Sequence, residues 1–355
     1  MKKIKSIKKL VINIILAILS IFFTILAGEI AIRAYHVSKY VLKGNSKVSA
    51  MIIDKKLGWR TKENYVFKGW RKDASGKDYF VEVETNDYGF RIFGDIHSKN
   101  KKIMFVGDSF TAALQVSNDK TYCGIIQKKL PVEVFAYGEG GYGTLQEYMI
   151  LDEYIDMIQP DFIVLQTCSN DFINNSYELE LQSYKHNNGL RRPYLMRNYK
   201  IFYAIPKRFS SIRNIANNYS KFLYFVLSKI DKLVATKRKE KTVEKHIEEQ
   251  GEYHSGFKYS AQITNKLIEM FRKRNLKARM FAFCVDDVPP YYEEFRNILK
   301  KNGIKFIDSI PQAIREAENK GYVTRASDKA HWNELGHKIC AENIINYFAK
   351  HINFN

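Results

Sequence analysis

The longest hydrophobic pattern in the chain comes first. Met1 to Lys9 carries five lysines, and Leu10 to Gly28 then runs 19 residues, LVINIILAILSIFFTILAG, without a charge before Glu29. At 1.5 Å per residue a helix over that run is about 28 Å long, close to the hydrocarbon thickness of a bilayer. Because the lysines precede it, the positive-inside tendency predicts a single-pass anchor with a cytoplasmic N-terminus and the remaining chain beyond the membrane. A cleaved signal peptide is the competing reading. Its apolar region normally spans about 7 to 15 residues and ends at a small-residue site, and no clean site follows here. A buried core helix would show one polar face, which this run lacks.

An aromatic, polar stretch follows to Phe93, and beyond it short apolar runs alternate with amphipathic ones. Strand-like runs are Lys102 to Val106, Val132 to Tyr137, Asp161 to Thr167, Lys277 to Cys284 and Lys305 to Asp308. Between them, Leu145, Tyr148, Leu151, Ile155 and Ile158 recur at helical spacing, as do Leu335, Ile339, Ile344 and Phe348 near the end. Strand, helix, strand, helix implies parallel pairing. The pattern predicts an α/β protein, a three-layer α/β/α sandwich on a central parallel sheet, with ligands at the carboxyl ends of the strands. The expected organisation is a basic cytoplasmic tail over 1–9, a transmembrane anchor over 10–28, a linker and packed extension over 29–100, and a catalytic domain over 101–355.

Composition adds that the chain folds: 45% of its 355 residues are hydrophobic and 14% aromatic, which excludes a disordered tail protein. Cys123, Cys168, Cys284 and Cys340 lie far apart with no C-x-x-C pair, so neither a zinc knuckle nor a disulfide scaffold is expected. Charge changes the picture more. There are 57 Lys and Arg against 38 Asp and Glu, a net +19. Lys185 to His246 alone holds 16 of the basic residues against Asp231, Glu240 and Glu244, interleaved with aromatics such as Tyr194, Phe202, Tyr219 and Tyr224. This stretch reads as a basic helical insertion at about 180–258, over or beside the cleft. Its basicity suits a solvated face, anionic lipid or an acidic envelope polymer. Nucleic acid is not an expected partner beyond a membrane.

Candidate chemistry sits at the strand ends. The run KKIMFV leads into Gly107-Asp108-Ser109, and a Ser on the turn after a strand is exposed at the carboxyl edge of the sheet, where a nucleophile belongs. Near the other end, Asp328 and His331 are three apart just before the last helix, so one turn can set the carboxylate against the imidazole and supply an oriented base. His337 is expected to be structural. Gly141 follows the second strand and lets a bare N–H approach a substrate, and Asn170 follows the third and offers an amide; both suit a developing oxyanion.

Gly107-Asp108-Ser109, Gly141, Ser169-Asn170-Asp171 and Asp328-Lys329-Ala330-His331, in that order, resemble the SGNH/GDSL hydrolases. The resemblance implies an SGNH-type, flavodoxin-like sandwich. It implies Ser109 as nucleophile, His331 as base and Asp328 as its orienter, with the Ser109 and Gly141 N–H groups and the Asn170 amide as oxyanion hole. Cys168 stands where the family's third motif usually has Gly. Leu57-Gly58-Trp59-Arg60 and Asn86-Asp87-Tyr88-Gly89-Phe90-Arg91 also resemble the segment before the nucleophile in membrane-anchored bacterial members. The similarity covers roughly 51–178 and 260–350.

Gly138-Glu139-Gly140-Gly141-Tyr142-Gly143 also satisfies G-x-G-x-x-G after a strand. A dinucleotide site wants an acid at the end of the next strand, where Gln166 and Thr167 stand instead. Asp328, His331 and His337 lack a cysteine or second carboxylate to complete a metal site, so neither metal nor cofactor is expected. The sequence therefore points to a membrane-anchored serine esterase acting outside the cytoplasm on an acyl ester, an O-acylated glycan or envelope component. An O-acetyltransferase of surface polysaccharide and an inactive envelope-binding protein are the alternatives.

Overall fold

In the computed structural model, which describes residues 2–43, 49–183, 189–207, 210–237, 242–274 and 277–352, the N-terminal apolar run forms helix α1 (Lys2–Lys43). The helix does not stop at Gly28 but continues 15 residues further to Lys43. Its segment Ile7–Tyr35 is long and apolar enough to cross a membrane, and side chains such as Leu10, Ile14 and Phe22 are exposed along it.

The chain divides into two units, Met1–Val48 with Arg208–Lys239, and Ser49–Lys207 with Glu240–Asn355. The larger opens with two antiparallel hairpins, β1 (Met51–Asp54) with β2 (Gly58–Thr61) and β3 (Val66–Lys72) with β4 (Asp78–Glu84), then a two-residue strand β5 (Ile92–Phe93). The alternating part follows: β6 (Lys101–Gly107), α2 (Ser109–Ala112), α3 (Tyr122–Lys129), β7 (Val132–Gly138), α4 (Thr144–Ile158), β8 (Phe162–Thr167), α5 (Asp171–Asn174) and α6 (Tyr177–Gln182). A third hairpin, β9 (Arg192–Leu195) with β10 (Ile201–Ala204), precedes α7 (Ser210–Tyr219) and α8 (Lys221–Lys237). Then come α9 (Val243–Gln250), α10 (Ser255–Arg274), β11 (Arg279–Cys284), α11 (Tyr291–Lys301), β12 (Lys305–Phe306), α12 (Ile310–Asn319) and α13 (Glu334–His351).

Six strands form one sheet in the order β12-β11-β8-β6-β7-β5. All neighbours are parallel except β5, which pairs antiparallel to β7 through Ile92 and Phe93. The sheet is thus mixed at one edge rather than wholly parallel, because a two-residue strand carries no period-2 signal. Alternate residues of the inner strands enter opposite layers. Met104, Val106, Phe135, Tyr137, Ile163 and Leu165 join one core with α4, α10 and α11. Ile103, Phe105, Val134, Ala136, Phe162 and Val164 join the other with α3 and α13. From β6 the chain passes to β7 on one side and then to β8 on the other, so the carboxyl end of β6 is the switch point where connecting loops part and leave a crevice.

The basic insertion is not one body. β9, β10 and α9 belong to the larger unit, whereas α7 and α8 pack with α1 in the smaller one.

Candidate active site

Strand β6 ends at Gly107, and a Cβ there would meet the Gln166 carboxamide and Thr111 Oγ1 at 2.4 Å, so only glycine lets the next residues turn. Asp108 caps the short helix that follows, its Oδ1 accepting from Phe110 N at 2.9 Å. Gln166, fully buried on β8, accepts at Oε1 from Asp108 N (3.1 Å), Thr111 N (3.2 Å) and Thr111 Oγ1 (2.8 Å). Beneath the far end of this turn lies buried Arg91, which donates to Ala112 O, to Val116 O (3.0 Å) and to Asn118 Oδ1. Ser109 is therefore held from two sides by groups that lie 18 residues before it and 57 after it.

His331 Nε2 stands 2.8 Å from Ser109 Oγ, across 222 residues of sequence, and His331 Nδ1 stands 2.7 Å from Asp328 Oδ2. The second Asp328 oxygen accepts from Ala330 N and His331 N, both at 2.9 Å, which fixes carboxylate and ring to the same turn. Burial works to raise the Asp328 pKa, but the hydrogen bonds from the His331 ring and from the Ala330 and His331 N–H groups outweigh it and hold the carboxyl below its ordinary value. Phe110 packs on the His331 ring at 5.2 Å and on Trp332 at 4.9 Å. His337 lies elsewhere: fully buried, it accepts from Tyr122 N at 3.3 Å and stacks on the Tyr122 ring.

Gly141 has φ +74, a conformation that favours glycine. Its loop is pinned by its carbonyls: Trp59 Nε1 donates to Gly140 O at 3.0 Å and Arg192 Nη2 donates to Gly141 O. Arg192 is itself buried, paired with buried Glu180 at 2.9 Å and stacked over Trp59. Burial pushes the Glu180 carboxyl up to about 7 despite the opposing field of Arg192. Asn170 immediately precedes the short helix α5 beyond the end of β8, and its carboxamide makes no capping hydrogen bond to that helix. The loop that carries it is clamped by a residue absent from the sequence reading: Asp286, just past β11, accepts from Ser169 N (3.1 Å), Ser169 Oγ (2.8 Å) and Cys168 Sγ (3.3 Å). Cys168 in place of glycine is thus accommodated by a thiol that donates to this carboxylate.

Behind the turn lie further acids. Asp108 is pushed up to about 6 by burial. Burial, reinforced by the Asp108 charge, raises Asp171 well above the ordinary carboxyl range. Burial together with the fields of Asp171 and Asp108 does the same to Glu147, whose two carboxyl oxygens have no partner among the described residues. The shift of Asp171 and Glu147 toward their neutral forms leaves less negative charge to oppose an anion forming nearby. No cluster of three or more metal-ligating side chains occurs among the described residues. All four cysteines are free, three of them buried.

This sheet, with its serine turn after the central strand, has the SGNH/GDSL hydrolase fold. The family model described as GDSL-like Lipase/Acylhydrolase matches residues 103–344, more than half of the chain, and the chain belongs to that family of hydrolases acting on ester bonds. Solved structures similar to it include a family 3 carbohydrate esterase of Clostridium thermocellum, 13% identical, TM-score 0.41, covering 71% of this chain and 96% of that one. The psychrotrophic esterase EstA of Pseudoalteromonas sp. is 9% identical, TM-score 0.38, covering 71% and 98%. An acetyl xylan esterase, AlAXEase, is 12% identical, TM-score 0.37, covering 69% and 98%. No curated protein matches the chain.

Proposed function

We propose that this protein is a membrane-tethered serine esterase whose catalytic unit works outside the cytoplasm on an O-acylated glycan or similar envelope ester. The observation that carries the chemistry is the unbroken chain from Ser109 Oγ through His331 to Asp328, at 2.8 and 2.7 Å. In the proposed reaction Ser109 Oγ attacks the acyl carbonyl while its proton passes to His331 Nε2. Asp328 stabilises the imidazolium so formed. The carbonyl oxygen, now an oxyanion, is met by the Ser109 and Gly141 N–H groups and the Asn170 amide. Collapse releases the alcohol, which takes the proton from His331. Water, deprotonated by the same ring, then frees the acid and restores Ser109.

The membrane side of the reading rests on the apolar length of α1 and the five lysines in its first turns. A groove of about 540 Å³ lies next to the turn after His331, lined by Tyr79, Ile125 and Leu335 together with five lysines and three acids, Asp73, Asp119 and Glu334. The excess of lysine over acid in this lining favours an acylated, acidic polymer over a neutral small ester. Incubation with an acetylated acidic glycan tests the proposal: acetate should be released, and Ser109→Ala should abolish the release. Acetate appearing on an added acceptor sugar in place of the medium would instead make the enzyme an O-acetyltransferase that uses the same acyl-enzyme. No acetyl loss in either form would overturn the substrate assignment.

A further inference from the structure

The smaller unit contains a contact with no role in the reaction above. Glu29 accepts from Ser220 Oγ (3.0 Å), Lys221 N (3.2 Å) and Phe222 N (2.9 Å), so a residue of α1 caps the first turn of α8 from 191 to 193 positions away in sequence. The Phe222 ring occupies the place a Cβ on Gly28 would take, 2.5 Å away, which makes glycine a requirement of this approach. Gly28 and Glu29 are the two residues that end the uncharged run. Helix α8 therefore starts where that run stops.

What α7 and α8 show to their surroundings is unusual for a solvated face. Ile212, Ile215, Tyr219, Tyr224, Ile230 and Leu233 are between 48% and 77% exposed. The same stretch, 208–239, carries eight Lys and Arg against one acid, Asp231, and Arg213 engages that acid at 2.8 and 2.9 Å. Exposed apolar side chains interleaved with ammonium groups fit the boundary of a bilayer, where the former enter the acyl layer and the latter reach headgroup phosphates.

We propose that α7 and α8 form a second membrane contact, lying in the interface of an anionic phospholipid leaflet at the exit of α1 and fixed there by Glu29. The proposal rests on reading α1 as a bilayer span. Charge complementarity and continuity with that span favour lipid over a protein partner as the occupant of this face.

The test uses the full chain in nanodiscs of phosphatidylcholine, alone or mixed with phosphatidylglycerol. Two reporters are read above the baseline of the three native tryptophans: Leu233→Trp for α8 and Leu19→Trp for the span. Hydrolysis of a soluble ester checks that each variant is folded. Brominated acyl chains should quench Leu233→Trp in the anionic discs by about twofold or more over neutral discs. Changing Lys221, Lys229, Lys232 and Lys237 to Gln, or raising the salt, should remove the difference. Quenching of Leu19→Trp without any of Leu233→Trp would overturn the proposal and leave the span intact. Absence of both would overturn the span reading, and the proposal with it. Shielding of Leu233→Trp from acrylamide without quenching by lipid would mean that protein covers this face, which also overturns it.

Discussion

In the proposed mechanism Ser109, His331 and Asp328 divide the work unequally, and substitution should show the division. Ser109→Ala and His331→Ala are each expected to lower kcat by roughly three orders of magnitude or more, with KM little changed, because each removes an interaction made only along the reaction. Asp328→Asn should cost less than His331→Ala, since the ring keeps its place against Ser109 while losing the charge that stabilises it. Equal activity in any of the three, measured on a soluble ester, contradicts the roles. Asn170→Ala should cost about 3 kcal/mol, roughly a hundredfold in kcat/KM. The residues that bear the proposed chemistry were legible because Ser109, Gly141 and Asn170 each follow a strand end and Asp328 and His331 precede the last helix, every one within a short local signature. Those that hold them were not. Gln166, Asp286, Arg91 and Arg192 act on loops between 21 and 118 residues away. Only the strand order brings them there.

At the scale of elements, the parallel strands and the helices α4 and α13 could be read from periodicity, because a strand buried on both faces is a continuous apolar run. The hairpins from Met51 to Glu84 could not, since the exposed alternation of β3 blends into a polar stretch. Nor could the division of the basic insertion between two units, which is a matter of long-range packing. Two buried groups give element-scale predictions. Arg192 ties β9 to the Gly141 loop and is paired with Glu180, so Arg192→Met, which leaves that buried carboxyl the Tyr194 hydroxyl but removes its buried counter-charge, should destabilise the larger unit by about 3 kcal/mol in urea unfolding. His337, at the start of α13, has its pKa held down to about 3, first by burial and then by the Arg91 charge. An unfolded chain binds that proton below about 6.5, whereas the folded one does not until about 3, so His337 contributes stability above about pH 6.5 that is lost as pH falls. Glu139 and Glu180, both pushed up to about 7 by burial, act with the opposite sign over part of the same range. The comparison with His337→Gln isolates the histidine: the variant should lose less unfolding free energy than wild type between pH 7 and pH 5. An equal loss would mean that His337 is already protonated in the fold.

The whole molecule joins a helix long and apolar enough to cross a membrane to an esterase fold, and its net charge of +19 has a physical place in the proposed design. On the proposed reading, cations concentrated on the unit that carries α1 favour anionic surfaces, and the excess of lysine over acid in the groove beside the His331 turn favours acidic substrates. Both attractions are electrostatic and exposed, so hydrolysis of an acidic glycan should weaken as salt rises while hydrolysis of a small neutral ester stays level. A parallel decline of both would place the effect in the catalytic turn instead of the groove.

Reaction with a fluorophosphonate, followed by mass mapping of the modified peptide, reaches the centre of this account most directly. A hydroxyl activated by His331 should be phosphonylated at Ser109 within the peptide that spans Gly107 to Thr111, and His331→Ala should abolish the reaction while the protein stays folded. Modification at another serine, or none at neutral pH in the folded wild type, would contradict it.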